Sequence, residues 1–365
     1  MQAADIEAYD GSRNFSDKAV RAVCYAPHTN VFFEMKGRVL ACCWNWRQPL
    51  GTVQSGQTFE QMWSGAQAAV LRRATENYDF SRGCEFCDEQ TRDGWTARAV
   101  MRGFDNFPVT AADPRWPSRM EFSISNSCNL ECVMCNGNFS STIRANREKL
   151  PPVRSVYTRE FIESLREYLP HLTVAKFLGG EPFLIQEYYH IWEMMVEVAP
   201  HVRSHITTNG TIFNPRVAKF MEKLNFAFAV SLDGATKKTV ESIRVNANYE
   251  EQLAILKRLR EYCNERKTNL DLTFCLMKQN WHELGEFCLF ADEWGSYVFI
   301  NTVHKPPEFS INNLPPVELR KIVDTMEQQA PRLDSVLKRN HSVWFSEFER
   351  LRRKCIRDEA AAAGR

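Results

Sequence analysis

The chain has 365 residues, 44% hydrophobic and 25% charged, the composition of a folded globular protein with room for one large domain and a smaller one. Lysine and arginine number 46 against 45 aspartates and glutamates, so no charge excess points to nucleic acid or an anionic membrane as partner. With neither a charged-then-apolar leader nor an apolar run of roughly 18 residues, a cytoplasmic, reducing setting is expected, where the 12 cysteines favour metal or redox chemistry over disulfides.

Residues 15 to about 90 read as short segments separated by turn signals. "NVFFEMKGRVLACC" predicts a hairpin, Val31–Met35 turning at Lys36-Gly37 into Arg38–Cys42. "TFEQMWSGAQAAVLRRATEN" has helical spacing, with Phe59, Met62, Trp63 and Val70 on one side. From about residue 119 the pattern becomes alternating strands and helices. Strands are predicted at Met120–Ser125, Val174–Leu178, Ser204–Thr207, Ala227–Leu232, Asp271–Met277 and Tyr297–Thr302. Between them lie amphipathic stretches at Arg159–Tyr168, Tyr188–Val198, Pro215–Leu224, Glu250–Glu265 and Trp281–Trp294. This alternation predicts an α/β fold with a parallel sheet, arranged as a partial (β/α)6 barrel whose site lies at the strand C-termini. The tail opens with the proline-broken "KPPEFSINNLPP" and closes with one or two helices, where Glu349 and Arg353 have the spacing of a helical ion pair.

Directly after the first barrel strand, "CNLECVMC" places Cys128, Cys132 and Cys135 within eight residues. A zinc site completed by a distant histidine is one reading, although no histidine falls within 30 residues on either side. Cys-x3-Cys-x2-Cys at this position resembles the signature of the radical S-adenosylmethionine (SAM) enzymes. Further pieces of that pattern follow in order: "FLGGEPFL" after the second strand, "ITTNGT" after the third, and "AVSLDGATKKTVESIR" from the fourth, over roughly residues 118 to 305. One departure is Met134, where the family carries an aromatic residue; its large polarisable side chain can fill such a site.

The resemblance implies a [4Fe-4S] cluster on Cys128, Cys132 and Cys135, with the fourth iron open to S-adenosylmethionine. One electron then cleaves the sulfonium to a 5′-deoxyadenosyl radical that removes hydrogen from a carbon. The implied cofactor contacts are Gly179 and Gly180, which allow close backbone approach, and Glu181, facing the cofactor ammonium. Asn209, Ser231 and Asp233 are carried over to the ribose or methionine part, and Arg244 to the carboxylate. Cys275 is separate: alternation in "DLTFCLM" turns Thr273, Cys275 and Met277 inward while Leu272, Phe274 and Leu276 face the helices. A thiol there could return a hydrogen atom to a substrate radical, or simply fill the barrel.

Cys24-x12-Gly37-x4-Cys42, closed by Cys84 and Cys87, resembles the twitch domain, the short form of the SPASM domain, here preceding the barrel rather than following it. That resemblance implies one auxiliary [4Fe-4S] cluster on Cys24, Cys42, Cys84 and Cys87, against a zinc knuckle as the alternative. The expected organisation is an auxiliary domain at 1–112, a radical SAM barrel at 113–305 and a helical tail at 306–365. A flavodoxin- or ferredoxin-type electron donor is implied, with a small polar metabolite (sugar, aminocyclitol or nucleoside-like) as substrate and a peptide as the alternative.

Overall fold

The computed structural model describes residues 3–92 and 99–363. The chain divides into two compact units. One holds the described residues up to Asn126 with Val153–His205 and Glu222–Asn225; the other holds Ser127–Pro152, Ile206–Met221 and the described residues from Phe226 onward.

Among the described residues the strands are β1 (Asn30–Glu34), β2 (Arg38–Leu40), β3 (Gly51–Thr52), β4 (Arg119–Ser123), β5 (Val174–Phe177), β6 (Arg203–Thr208), β7 (Asn225–Ser231), β8 (Leu270–Leu276) and β9 (Val298–Thr302). The order is β3-β2-β1-β4-β5 in the first unit and β7-β8-β9 in the second. The six later strands stand within a few residues of their expected positions.

In the first unit β1 and β2 pair antiparallel through Phe32↔Leu40. Gly37, at φ +85°, makes the turn that a side chain would strain. β1 also pairs in parallel with β4 through Phe33↔Phe122, so the N-terminal hairpin extends the sheet of the barrel strands. Phe33, Phe122 and Phe177 stack across β1, β4 and β5 at 5.1 and 5.2 Å, all fully buried or nearly so. The single helix expected after the hairpin is two, Phe59–Trp63 and Ala66–Glu76, parted at Ser64-Gly65. Thr58 and Gln61 form a capping box on the first. The break shifts the helical phase, so Leu71 is buried where Val70 was expected.

In the second unit β7, β8 and β9 run parallel, with Ser231↔Thr273 and Cys275↔Asn301 in register. Leu272, Phe274 and Leu276 are fully buried, and the Phe274 ring lies 4.9 Å from that of Phe287 on the helix Leu284–Glu293. This is the outward packing that alternation predicts. The tail forms two helices, Pro316–Val336 and His341–Ala363, and Glu349 pairs at 3.2 Å with Arg352 rather than Arg353. Among the described residues no helix is long and apolar enough to cross a membrane.

Candidate metal centres

The three-cysteine loop belongs to the second unit and is held by polar contacts along its length. The Cys128 amide donates to Ser141 Oγ at 3.1 Å, and its carbonyl accepts from Thr142 Oγ1 at 2.6 Å. Ser140, capping the helix Ser141–Asn146, donates to Leu130 O at 2.6 Å. Arg147 gathers the carbonyls of Glu131, Cys132 and Cys135 at 3.0, 3.4 and 3.2 Å. Glu131 and Val133 donate their amides to Val245 and Ile243, tying the loop to the segment around Arg244.

Asn209 reaches Cys128: its Nδ2 lies 3.9 Å from that sulfur and 3.0 Å from Asn129 Oδ1. Fully buried Gln252 donates to the Asn209 carbonyl at 2.7 Å. On the other side Arg244 places Nη1 4.0 Å from Cys132 Sγ and Nη2 2.6 Å from Asp233 Oδ2. Asp233 is fully buried at φ +69° and accepts from the Cys275 amide at 2.6 Å. Asn280 fixes this corner by donating to the carbonyls of Asp233 and Cys275, each at 2.9 Å. Two residues expected to meet the cofactor separately, Asp233 and Arg244, thus pair with each other, and Cys275 joins them. Ser231 stands opposite Thr273 at the end of β7, partly exposed.

Gly179, Gly180 and Glu181 belong to the first unit. Gly179 has φ +109°, and a Cβ there would stand 2.7 Å from the Ser125 carbonyl, so only glycine fits. The Gly180 amide donates to that same carbonyl at 3.1 Å. Glu181 is fully buried and accepts from the Phe183 amide at 3.2 Å.

Burial pushes the Cys132 thiol up to about 12, with Arg244 opposing, and Cys135 to about 11. Thiolates at such positions need a strongly cationic partner. Arg244 Nε is also buried without a hydrogen-bond partner among the described residues. Three thiols on one loop with an unspent guanidinium donor fit a cluster that binds a carboxylate-bearing ligand at its open iron.

The second set of cysteines is in the first unit. Cys24, Cys42, Cys84 and Cys87 line one small cavity with Trp44 and Asn45. Tyr9, Val23, Phe80 and Met101 pack around Cys87 as an apolar cluster. Cys43 is exposed, so Cys42 is the member of that pair that faces the cavity. Burial raises all four thiols, Cys42 to about 12 and Cys84 to about 11. Trp44 and Phe86, one from each cysteine segment, stack at 3.8 Å and 4°. Among the described residues no three His, Cys, Asp or Glu side chains close tightly enough for a single metal ion. A four-iron cube asks less, since each thiolate binds its own iron.

Sequence reasoning passed over Arg147, Gln252, Asn280 and Asn45. Each acts through hydrogen bonds to loop backbone or sulfur, which leave no periodic signal; Asn45 alone had a clue, lying three residues after Cys42.

Residues 122–291 match the model of the Radical SAM superfamily. The chain is 23% identical over 182 residues to mycofactocin maturase MftC of Mycobacterium tuberculosis, covering 49% of this chain and 43% of that protein. It is 24% identical over 188 residues to the AdoMet-dependent heme synthase of Methanosarcina barkeri, covering 50% and 49%. The chain therefore spans about half the length of the curated relatives it matches. Among solved structures, native anSMEcpe with bound AdoMet aligns with a TM-score of 0.42 at 17% identity, covering 58% of this chain and 61% of that one.

Proposed function

The chain belongs to the radical SAM superfamily through residues 122–291, and from that premise we propose that it abstracts hydrogen from a carbon of a small polar metabolite. The observation that carries the reading is the convergence on one cysteine loop of Asn209 at Cys128 and of Arg244 with Asp233 at Cys132. When bound, the cluster and S-adenosylmethionine supply one-electron cleavage of the sulfonium to a 5′-deoxyadenosyl radical.

In this reading Cys128, Cys132 and Cys135 hold the cluster, and Arg147 fixes the loop so that the three sulfurs keep one geometry. Arg244 Nε offers its free donor to the cofactor carboxylate while Asp233 keeps the guanidinium oriented. Gly179 and Gly180 leave backbone room, Glu181 faces the ammonium, and Asn209 and Ser231 serve the ribose or methionine part. Cys275 stands at the same corner as a hydrogen donor to the substrate radical. Cys24, Cys42, Cys84 and Cys87 hold one auxiliary cluster, and a flavodoxin- or ferredoxin-type protein supplies electrons.

Ser231, Thr273, Cys275 and Asn301 share one face of β7, β8 and β9 with Phe299, and their polar groups support a substrate that carries polar groups. The AdoMet-dependent heme synthase among the relatives is by its name a maker of a small molecule. The test is incubation of the anaerobic enzyme with perdeuterated sugars, aminocyclitols, nucleosides and peptides. Deuterium appearing in 5′-deoxyadenosine from one of the first three classes is expected. Transfer from peptides alone would overturn the substrate class while leaving the reaction class standing.

A further inference from the structure

Asn45 lies between two exposed tryptophans yet is itself 2% exposed. Its Nδ2 donates to the Arg82 carbonyl at 2.9 Å and to Cys84 Sγ at 3.3 Å. The Arg82 carbonyl only accepts, so the amide cannot be turned over: nitrogen must face Arg82, and its second hydrogen is left for the sulfur. The Asn45 oxygen is buried with no hydrogen-bond partner among the described residues. A Cβ on Gly83, which has φ +81°, would stand 2.6 Å from that oxygen, so the residue preceding Cys84 is bare where the carboxamide packs. The Asn45 backbone amide meanwhile donates to the Cys42 carbonyl at 3.2 Å, tying the Cys42 segment to the Cys84 segment through one residue.

With the Arg82 carbonyl fixing the amide's orientation, its remaining hydrogen is held against the Cys84 sulfur while its oxygen stays unsatisfied. Hydrogen bonds to cluster sulfurs stabilise the more negative, reduced state and raise the reduction potential. We propose that the Asn45 carboxamide sets the reduction potential of the N-terminal cluster by donating a hydrogen bond to the Cys84 sulfur, an inference that rests on the reading of these four cysteines as a cluster site. Asn45 is here a positioning residue that acts through the Cys84 sulfur.

The experiment is an anaerobic redox titration of the reconstituted full chain, followed by electron paramagnetic resonance. The signal unaltered by added S-adenosylmethionine reports the N-terminal centre, and a Cys128→Ala, Cys132→Ala, Cys135→Ala background isolates it. Asn45→Ala removes the donor, and Asn45→Asp replaces it with an acceptor of the same shape. Both variants are expected to keep the centre's iron, about four atoms. Asn45→Ala should lower the reduced-to-oxidised ratio at fixed potential about tenfold, equivalent to about 59 mV for one electron, with a larger fall in Asn45→Asp. An unchanged midpoint with iron retained would overturn the proposal alone. Loss of iron from both variants would also overturn it, making Asn45 a brace needed for assembly. A parent protein with no iron–sulfur signal beyond the one that S-adenosylmethionine alters would overturn the four-cysteine reading together with the proposal.

Discussion

Asp233 and Arg244 carry opposite charges 2.6 Å apart, both buried, and removing one partner strands the other without water. Asp233→Ala is therefore expected to lower folding stability by about 3–5 kcal/mol in anaerobic denaturant titrations, whereas an exposed pair such as Glu349–Arg352 contributes under about 1 kcal/mol. A loss below about 1 kcal/mol for Asp233→Ala would show that the pair is hydrated and mobile. These two residues were legible in advance because they stand at fixed points of a motif, Asp233 at the end of a strand and Arg244 at the end of the following helix. Their pairing was not legible, since it depends on Asp233 turning to φ +69° and on Asn280 holding its carbonyl. Arg147 was equally invisible: what marks it is three carbonyls of a folded loop.

Among the elements, the hairpin and the barrel strands could be read because apolar residues repeat with period two between turn residues. The break at Ser64-Gly65 was present as a glycine in a helical pattern, yet spacing on its two sides still suggested one helix. The parallel pairing of β1 with β4 joins segments some ninety residues apart, and nothing local encodes such register. Just ahead of β1, the short helix Ala26–Thr29 buries His28, whose Nδ1 donates to the Ala112 carbonyl at 3.0 Å. Burial pushes His28 down to about 4 from its ordinary 6.5. The folded chain therefore resists a proton that the unfolded chain accepts. This contribution is fully present above about pH 6.5 and is lost as pH falls toward 4. His28→Gln should flatten the decline of stability between pH 6.5 and 4, measured by denaturant midpoints at each pH. His205 is lowered to about 4 by its own burial and keeps part of the slope. An identical slope in wild type and variant would mean that His28 is hydrated in the folded state.

At the scale of the whole molecule the two cysteine sets differ in kind. The N-terminal set offers four thiols around one apolar cavity, and the loop after β4 offers three beside an arginine with a free donor. Four thiols can saturate a cube, which suits electron transfer or bracing, whereas three leave an iron open for chemistry. The proposed reaction class rests on eight residues, because coordination chemistry dictates thiol count and spacing. The substrate class is not readable in that way, because the residues that share a face of β7, β8 and β9 carry no motif. The decisive measurement is formation of 5′-deoxyadenosine from S-adenosylmethionine under low-potential reductant, assayed anaerobically in wild type and two variants. Cys128→Ala, Cys132→Ala, Cys135→Ala should abolish it, and Cys84→Ala, Cys87→Ala should leave part of it. Undiminished formation by the triple variant, or none by a wild type carrying its full iron, would contradict the account.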